Sequence, residues 1–249
     1  MRLLLAVLLG LFACAAARAD PPPAFTPTQR AEIVAIVREA LLRDPSILRD
    51  AVAALQANEA ASRDAATRGA IAEAGPALTR APGDPVAGNP RGDVTVVEFY
   101  DLRCPYCRRM MPVMAALLQH DQNVRLVYKD IPILGPESQL GARAVLAAQR
   151  QGGYARLQDL IMHGSARITE DTLRAEARSA GLDWDRLQRD MQDPEITARL
   201  RANLALAQKL GIDGTPAFVI GGQMLPGAVE LADLEGAIAT ARGAIAAVR

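Results

Sequence analysis

The apolar positions of this chain change rhythm several times. After a stiff Pro21-Pro22-Pro23 leader, Ile33, Ile36, Val37, Ala40 and Leu41 recur at helical spacing, and Ile47, Leu48, Ala51, Val52 and Leu55 carry the stripe on. Thr26, Pro27 and Gln29 have the chemistry of an N-cap, a first helical position and a capping box, and Asp44-Pro45 closes one helix and caps the next. From Gln56 to Ala70 no apolar side chain exceeds alanine. That segment can be helical, but it cannot build a core of its own. Gly75-Pro76 and Ala81-Pro82-Gly83-Asp84-Pro85 then read as linker. Beyond Asn89 the pattern turns β-rich: Val94 to Tyr100 suits a buried strand, and Val124 to Tyr128 a second. A helix between them should run to about His120. Residues 137–210 read as successive helices, broken at Gly152-Gly153, Gly164, Gly181 and Pro194 and ended by Gly211. Ala217 to Ile220 and Gln223 to Leu225 flank Gly221-Gly222 as a hairpin, and a last helix spans about Val229 to Val248. The order is β-α-β, a helical block, then β-β-α.

The first 19 residues follow different rules. Arg2, the apolar run Leu3 to Ala13 and Ala17-Arg18-Ala19 form the n-region, h-region and cleavage pattern expected of a secretory signal peptide. Leu11-Phe12-Ala13-Cys14 offers the alternative of a lipoprotein anchor at Cys14. No later apolar run approaches the ~20 residues needed to cross a bilayer. The 28 basic and 28 acidic residues balance, and removing 1–19 takes away only Arg2 and Arg18. A nearly neutral chain lacks the electrostatic footprint of a nucleic-acid binder. The apolar stripe of residues 26–55 is too short to fold alone. It either folds back on the main domain or pairs with copies of itself. The polar spacer favours the second, so a homo-oligomer is expected.

Two cysteines remain after residue 19, Cys104 and Cys107, with Pro105 and Tyr106 between them. A Cys-x-x-Cys pair that opens a helix after a buried strand is a redox signature. Unpaired N–H groups and the dipole at the helix tip favour an anion, so Cys104 gains thiolate character and becomes the exposed attacking sulfur. Pro105 suits the first helical position. Cys107, one turn on, is shielded and can resolve a mixed disulfide. A structural disulfide across so short a span removes little chain entropy. Zinc needs four ligands, and only His120 and His163 add nitrogen donors. Cu(I) tolerates two thiolates, which keeps a copper-binding or chaperone module as a second hypothesis. Met110, Met111 and Met114 read as packing, and Lys129 as a charge near the site. Glu98 stands in an otherwise apolar run. A buried acid there needs a partner or a raised pKa, and proton shuttling would use the raised pKa.

These residues resemble the DsbA-like thiol–disulfide oxidoreductases of the thioredoxin superfamily. The resemblance spans about Asn89 to the C-terminus and rests on Glu98-Phe99, Cys104-Pro105-Tyr106-Cys107, Pro112, the helical insertion and Gly214-Thr215-Pro216-Ala217-Phe218. It implies a thioredoxin-like α/β fold and a cis peptide before Pro216, against the cysteine pair. It also implies client contacts through the Thr215 main chain, proton transfer at Glu98, and a helix kink at Pro112. Leu41-Leu42-Arg43-Asp44-Pro45 with Ile47-Leu48 resembles the N-terminal segment of the suppressor-of-copper-sensitivity C-type branch, where such a segment drives oligomerisation. The expected organisation is a signal peptide (1–19), a helical oligomerisation segment (20–75), a linker (76–88) and a catalytic domain (89–249) whose helical insertion covers about 137–210. The expected role is periplasmic disulfide exchange in secreted proteins, by isomerisation or oxidation or both. A membrane redox partner would reset the dithiol; a monomeric oxidase is the alternative. No cofactor, resident metal or nucleic acid is expected.

Overall fold

A computed structural model of the chain describes residues 25–164 and 167–247. The expected signal peptide and the Cys14 anchor lie outside the described residues. The chain divides into two compact units, Met1–Glu59 and Ala60–Arg249.

The described residues of the first unit are helical. Helix α1, Pro27–Arg43, starts at Thr26, whose side chain accepts a bond from the Gln29 main chain while Gln29 reaches back to the cap. Among the described residues none of α1 is buried. Ile33, Val34, Ile36, Val37, Leu41 and Leu42 are all exposed. Asp44 caps the start of helix α2, Ser46–Thr79, by accepting from the Ser46 amide and hydroxyl.

Helix α2 runs on into the second unit, and here the structure departs from the pattern reading. Ile71 and Ala74, expected in the oligomerisation segment, and Leu78, expected in the linker, are buried in the core of the second unit. Two large side chains seven residues apart suffice to dock an alanine-rich helix, and so sparse a stripe is easily read as none. The helix bends at Gly75, whose φ of 42° lies where a side chain would be strained, and Pro76 follows.

A five-stranded mixed sheet organises the second unit. Its strands are β1 (Val86–Gly88), β2 (Val94–Tyr100), β3 (Val124–Asp130), β4 (Ala217–Ile220) and β5 (Gln223–Pro226), in the order β1-β3-β2-β4-β5. Only the β2–β3 pair is parallel. Strand β1, too short to show alternation, lies within the expected linker 76–88. Helix α3 (Pro105–His120) crosses over between β2 and β3. Helices α4 (Pro136–Gln149), α5 (Tyr154–His163), α6 (Glu170–Ser179), α7 (Trp184–Asp190) and α8 (Pro194–Lys209) form the insertion, and α9 (Leu231–Ala247) closes the chain. Pro112 lies inside α3, as expected.

Alternation along β2 separates two cores. Val94 and Val96 pack with Met110, Met114 and Leu117 of α3 and with Leu234 and Ile238 of α9. Val97 and Phe99 face the opposite side, with Ile71, Leu78 and Leu210. Lys129 shares that opposite side. Its ammonium donates to Asp84 at 2.6 Å and to the Ala77 carbonyl at 2.8 Å, so its charge belongs to the α2 side of the sheet. A third core joins Tyr100, Cys104 and Cys107 to the helical insertion.

Candidate functional site

Strand β2 ends at Tyr100, and the turn that follows is built on Asp101. This carboxylate is 2 % exposed. One oxygen accepts from the Arg103 amide and the Ser138 hydroxyl, both at 2.8 Å; the other accepts from the amides of Ile133 (2.8 Å) and Leu134 (3.0 Å). Its carbonyl accepts from the Cys104 amide at 3.0 Å. Asp101 therefore fixes the start of α3 and the loop beside it, where Ile133 and Leu134 are exposed. Sequence reasoning missed it. The available signal was an acid closing an apolar strand three residues before Cys104.

Cys104 is the N-cap of α3 and Pro105 its first residue. Both cysteines are free thiols. Cys107 is 1 % exposed, as its shielded position implied. Cys104, expected to be open, is also buried at 4 %, because the loop before β4 covers it: its Sγ donates to the Thr215 carbonyl at 3.2 Å. The Thr215–Pro216 peptide is cis. Residues 111 positions apart in sequence thus meet at one sulfur.

Glu98 lies beneath, on β2, and is 4 % exposed. With Tyr100, Cys107, Met111, Tyr128 and Gln158 it lines a cavity of about 210 Å³. A water needs only roughly 10–15 Å³ of such volume, so there is room for several. The exposed residues Ala115, Ala155 and Asp159 also line it, so the cavity reaches the surface between α3 and α5. Burial pushes the Glu98 carboxyl up to about 8, and the nearby Asp130 charge adds to the shift. Burial also drives the Cys107 thiol well above its ordinary value. Hydrogen bonding from the Asp101 main chain and the Thr215 side chain offsets part of this, while Cys104 and Glu98 charges reinforce it.

All five residues singled out in the sequence, Cys104, Cys107, Thr215, Pro216 and Glu98, fall in this region. Met110 and Met114 are buried in the α3–α9 core. His120 instead contacts Glu235 and His163 contacts Asp159, both at the surface. Among the described residues no group of three or more His, Cys, Asp or Glu is placed to hold a metal. The geometry presents a dithiol at a helix tip, a main-chain acceptor against one sulfur, and a carboxyl group able to carry a proton near the other.

Comparison with known proteins decides the family. The model of the DSBA-like thioredoxin domain matches residues 95–239. The chain belongs to the DsbA-like thioredoxin family. Members of this family are thiol–disulfide oxidoreductases. Residues 29–62 match a second model, the copper resistance protein ScsC N-terminal domain. Among solved structures, a thioredoxin-like oxidoreductase from Silicibacter pomeroyi DSS-3 is 48% identical, with a TM-score of 0.66. That match covers 68% of this chain and 98% of the other. ScsC from Proteus mirabilis, in a transitional conformation, is 28% identical, with a TM-score of 0.64 and coverage of 88% and 97%. A curated relative from Salinispora arenicola, Na(+)/H(+) antiporter NhaA 1, is 30% identical over 160 residues. Those residues make up 64% of this chain but 24% of the antiporter, so the chain spans about a quarter of that relative's length. No helix among the described residues is long and apolar enough to cross a membrane.

Proposed function

We propose that this protein works in the periplasm as a homo-oligomeric thiol–disulfide oxidoreductase, exchanging disulfides in secreted proteins through Cys104 and Cys107. The observation that carries the chemistry is the Cys104 sulfur at the tip of α3, 3.2 Å from the Thr215 carbonyl. Cys104 is the nucleophile and attacks the client's disulfide. The Thr215 main chain, beside Pro216, aligns the client strand next to that sulfur. Cys107 is the resolver, and Glu98 takes up its proton as the Cys107 sulfur attacks the mixed disulfide. In the oxidising direction the steps reverse. A client thiolate bonds to Cys104, the Cys104–Cys107 bond breaks with its electron pair on Cys107, and Glu98 returns the proton to that sulfur. A membrane redox partner resets the dithiol after net oxidation or reduction.

Residues 25–59 are read as the oligomerisation segment. The apolar side chains of α1 find no cover among the described residues of the first unit, and Ile33, Val34, Val37, Leu41 and Leu42 line a groove of about 470 Å³. A face of that kind is a liability on a monomer and an asset between copies. Linked catalytic domains then meet one client at high effective concentration, which suits isomerisation.

The test compares the secreted chain with one that begins at Ala60. Sedimentation at micromolar concentration should give a dimer or trimer for the first and a monomer for the second. Scrambled ribonuclease should regain activity only with the first, while both oxidise a reduced dithiol peptide. A monomeric full-length protein would sink the oligomer reading and leave plain oxidation in its place.

A further inference from the structure

The sheet behind the dithiol carries a second carboxyl group that the mechanism above does not use. In the parallel pair β2–β3, Glu98 lies opposite Tyr128 and Tyr100 lies opposite Asp130. Alternation places these four side chains on one face. Diagonal neighbours on paired strands sit about 7–8 Å apart, which sets the scale between Glu98 and Asp130.

Asp130 is 2 % exposed. The Tyr100 hydroxyl lies 2.7 Å from one of its oxygens, the Tyr154 hydroxyl 3.0 Å from the other, and the two hydroxyls lie 2.7 Å from each other. Burial holds both phenols well above their ordinary titration range, so each keeps its hydrogen. Each donates to the Asp130 carboxyl group, and two such donors favour its charged form. That charge faces Glu98 across the sheet.

We propose that Asp130, ringed by the Tyr100 and Tyr154 hydroxyls, is a positioning residue of the redox site whose ionisation keeps the proton on Glu98, so that Glu98 can protonate Cys107 at neutral and mildly alkaline pH. This rests on the proton-transfer reading of Glu98. Burial raises Asp130 to about 7, with the two tyrosine bonds opposing the rise. The two phenol donors favour a charge on Asp130, and two charges so near each other do not form independently. The surroundings of both groups agree with this pairing. Facing Asp130 are Tyr100 of β2, Tyr154 of α5, the positive field of Arg199 and the Asn203 amide of α8; Asn203 donates to the Asp130 carbonyl at 3.2 Å. Facing Glu98 are Tyr128 of β3, Cys107 of α3, and Gln158 and Asp159 of α5 around the cavity. Lys129 is spent on the opposite face with Asp84.

Asp130→Asn is the informative variant. Its amide supplies one donor and one acceptor, so it preserves the ring while remaining neutral at every pH. The experiment uses the full reduced chain with carboxyl-labelled glutamate, and follows the Glu98 carbon resonance, assigned by its absence in Glu98→Gln, through pH 4 to 10. At an effective dielectric near 20, a unit charge about 7–8 Å away moves such a midpoint by roughly one pH unit or more. We expect Asp130→Asn to lower the midpoint by that amount. Tyr154→Phe should lower it by less, because the loss of one bond makes Asp130 harder to ionise; it also serves if Asp130→Asn does not fold. Reduction of the oxidised chain by glutathione, divided by the glutathione thiolate fraction, should lose its Glu98-dependent inflection in Glu98→Gln and show it at lower pH in Asp130→Asn. A raised Glu98 midpoint that neither variant moves overturns the role of Asp130 and leaves Glu98 intact. A wild-type midpoint at the ordinary carboxylate value overturns both readings. An inflection that Asp130→Asn still moves in the Glu98→Gln background overturns the coupling.

Discussion

Helices α1 and α3 are almost the same length, 17 and 16 residues, and both carry apolar residues along one side. In α3 the stripe is covered: Met110, Met114 and Leu117 are buried against the sheet and α9, and Cys107 against the helical insertion. In α1 none of the equivalent residues is buried, and Leu42 is 76 % exposed. The period of a stripe says that a face must be covered. It does not say what covers it. For α3 the cover comes from the same chain and positions two sulfurs. For α1 the described residues of the first unit supply none, and a second copy is the reading that uses the face.

The largest expected effect separates the two helices by stability. Trp184 is the single tryptophan, and it lies in the helical core of the second unit, so its fluorescence reports that unit. Leu117→Ala leaves a cavity in a fully buried site and should lower the unfolding free energy seen by Trp184 by about 2–5 kcal/mol. Leu42→Ala should change it by less than about 0.5 kcal/mol, yet weaken association measured by sedimentation. If Leu42→Ala destabilises the Trp184 unit as strongly as Leu117→Ala, α1 packs on the catalytic unit and the contrast collapses.

A smaller effect distinguishes the units by pH. Among the buried carboxyls of the second unit, Glu98 and Asp130 are raised by burial to about 8 and about 7, and Asp84 is raised as well. A raised carboxyl holds a proton in the folded state that the unfolded chain has already released. Its stabilising contribution is full below the unfolded value near 4.5 or 3.8, and is lost as pH rises through the folded value. The unfolding free energy of the reduced chain, read at Trp184, should therefore decline between about pH 4 and pH 8, and Glu98→Gln should flatten part of that decline. A slope unchanged in Glu98→Gln would mean that the carboxyl is not protonated in the folded state. The first unit has no buried titratable group among its described residues; its Asp44 is lowered by its hydrogen bonds with Ser46, a contribution lost as pH falls rather than as it rises.

Much of this was legible in the chain itself, for identifiable reasons. Val94 to Tyr100 announced β2 because a strand buried on both faces is apolar throughout, and Cys104 and Cys107 announced the site because strand, proline and helix fix their positions. Glu98 stood out as the lone charge in that run. Three things were not legible. Ile71 and Leu78 were too sparse to mark α2 as part of the core, and β1 was too short to show a period. The Asp101 contacts with Ile133 and Leu134, like the Tyr100–Tyr154–Asp130 ring, join residues tens of positions apart. No local pattern encodes such meetings; only the completed sheet and insertion bring them about. The covering of Cys104 by Thr215 belongs to the same class.

The central claim is that the two sulfurs are inequivalent, one attacking at the helix tip and one held in reserve behind it. The most direct measurement is the pH dependence of iodoacetamide labelling of the fully reduced full-length protein, resolved by mass spectrometry into Cys104 and Cys107. The account predicts that at pH 6 Cys104 is labelled first, while Cys107, whose thiol is raised by burial, stays unmodified until much higher pH. Labelling of Cys107 ahead of Cys104, or of both at equal rates, would contradict it.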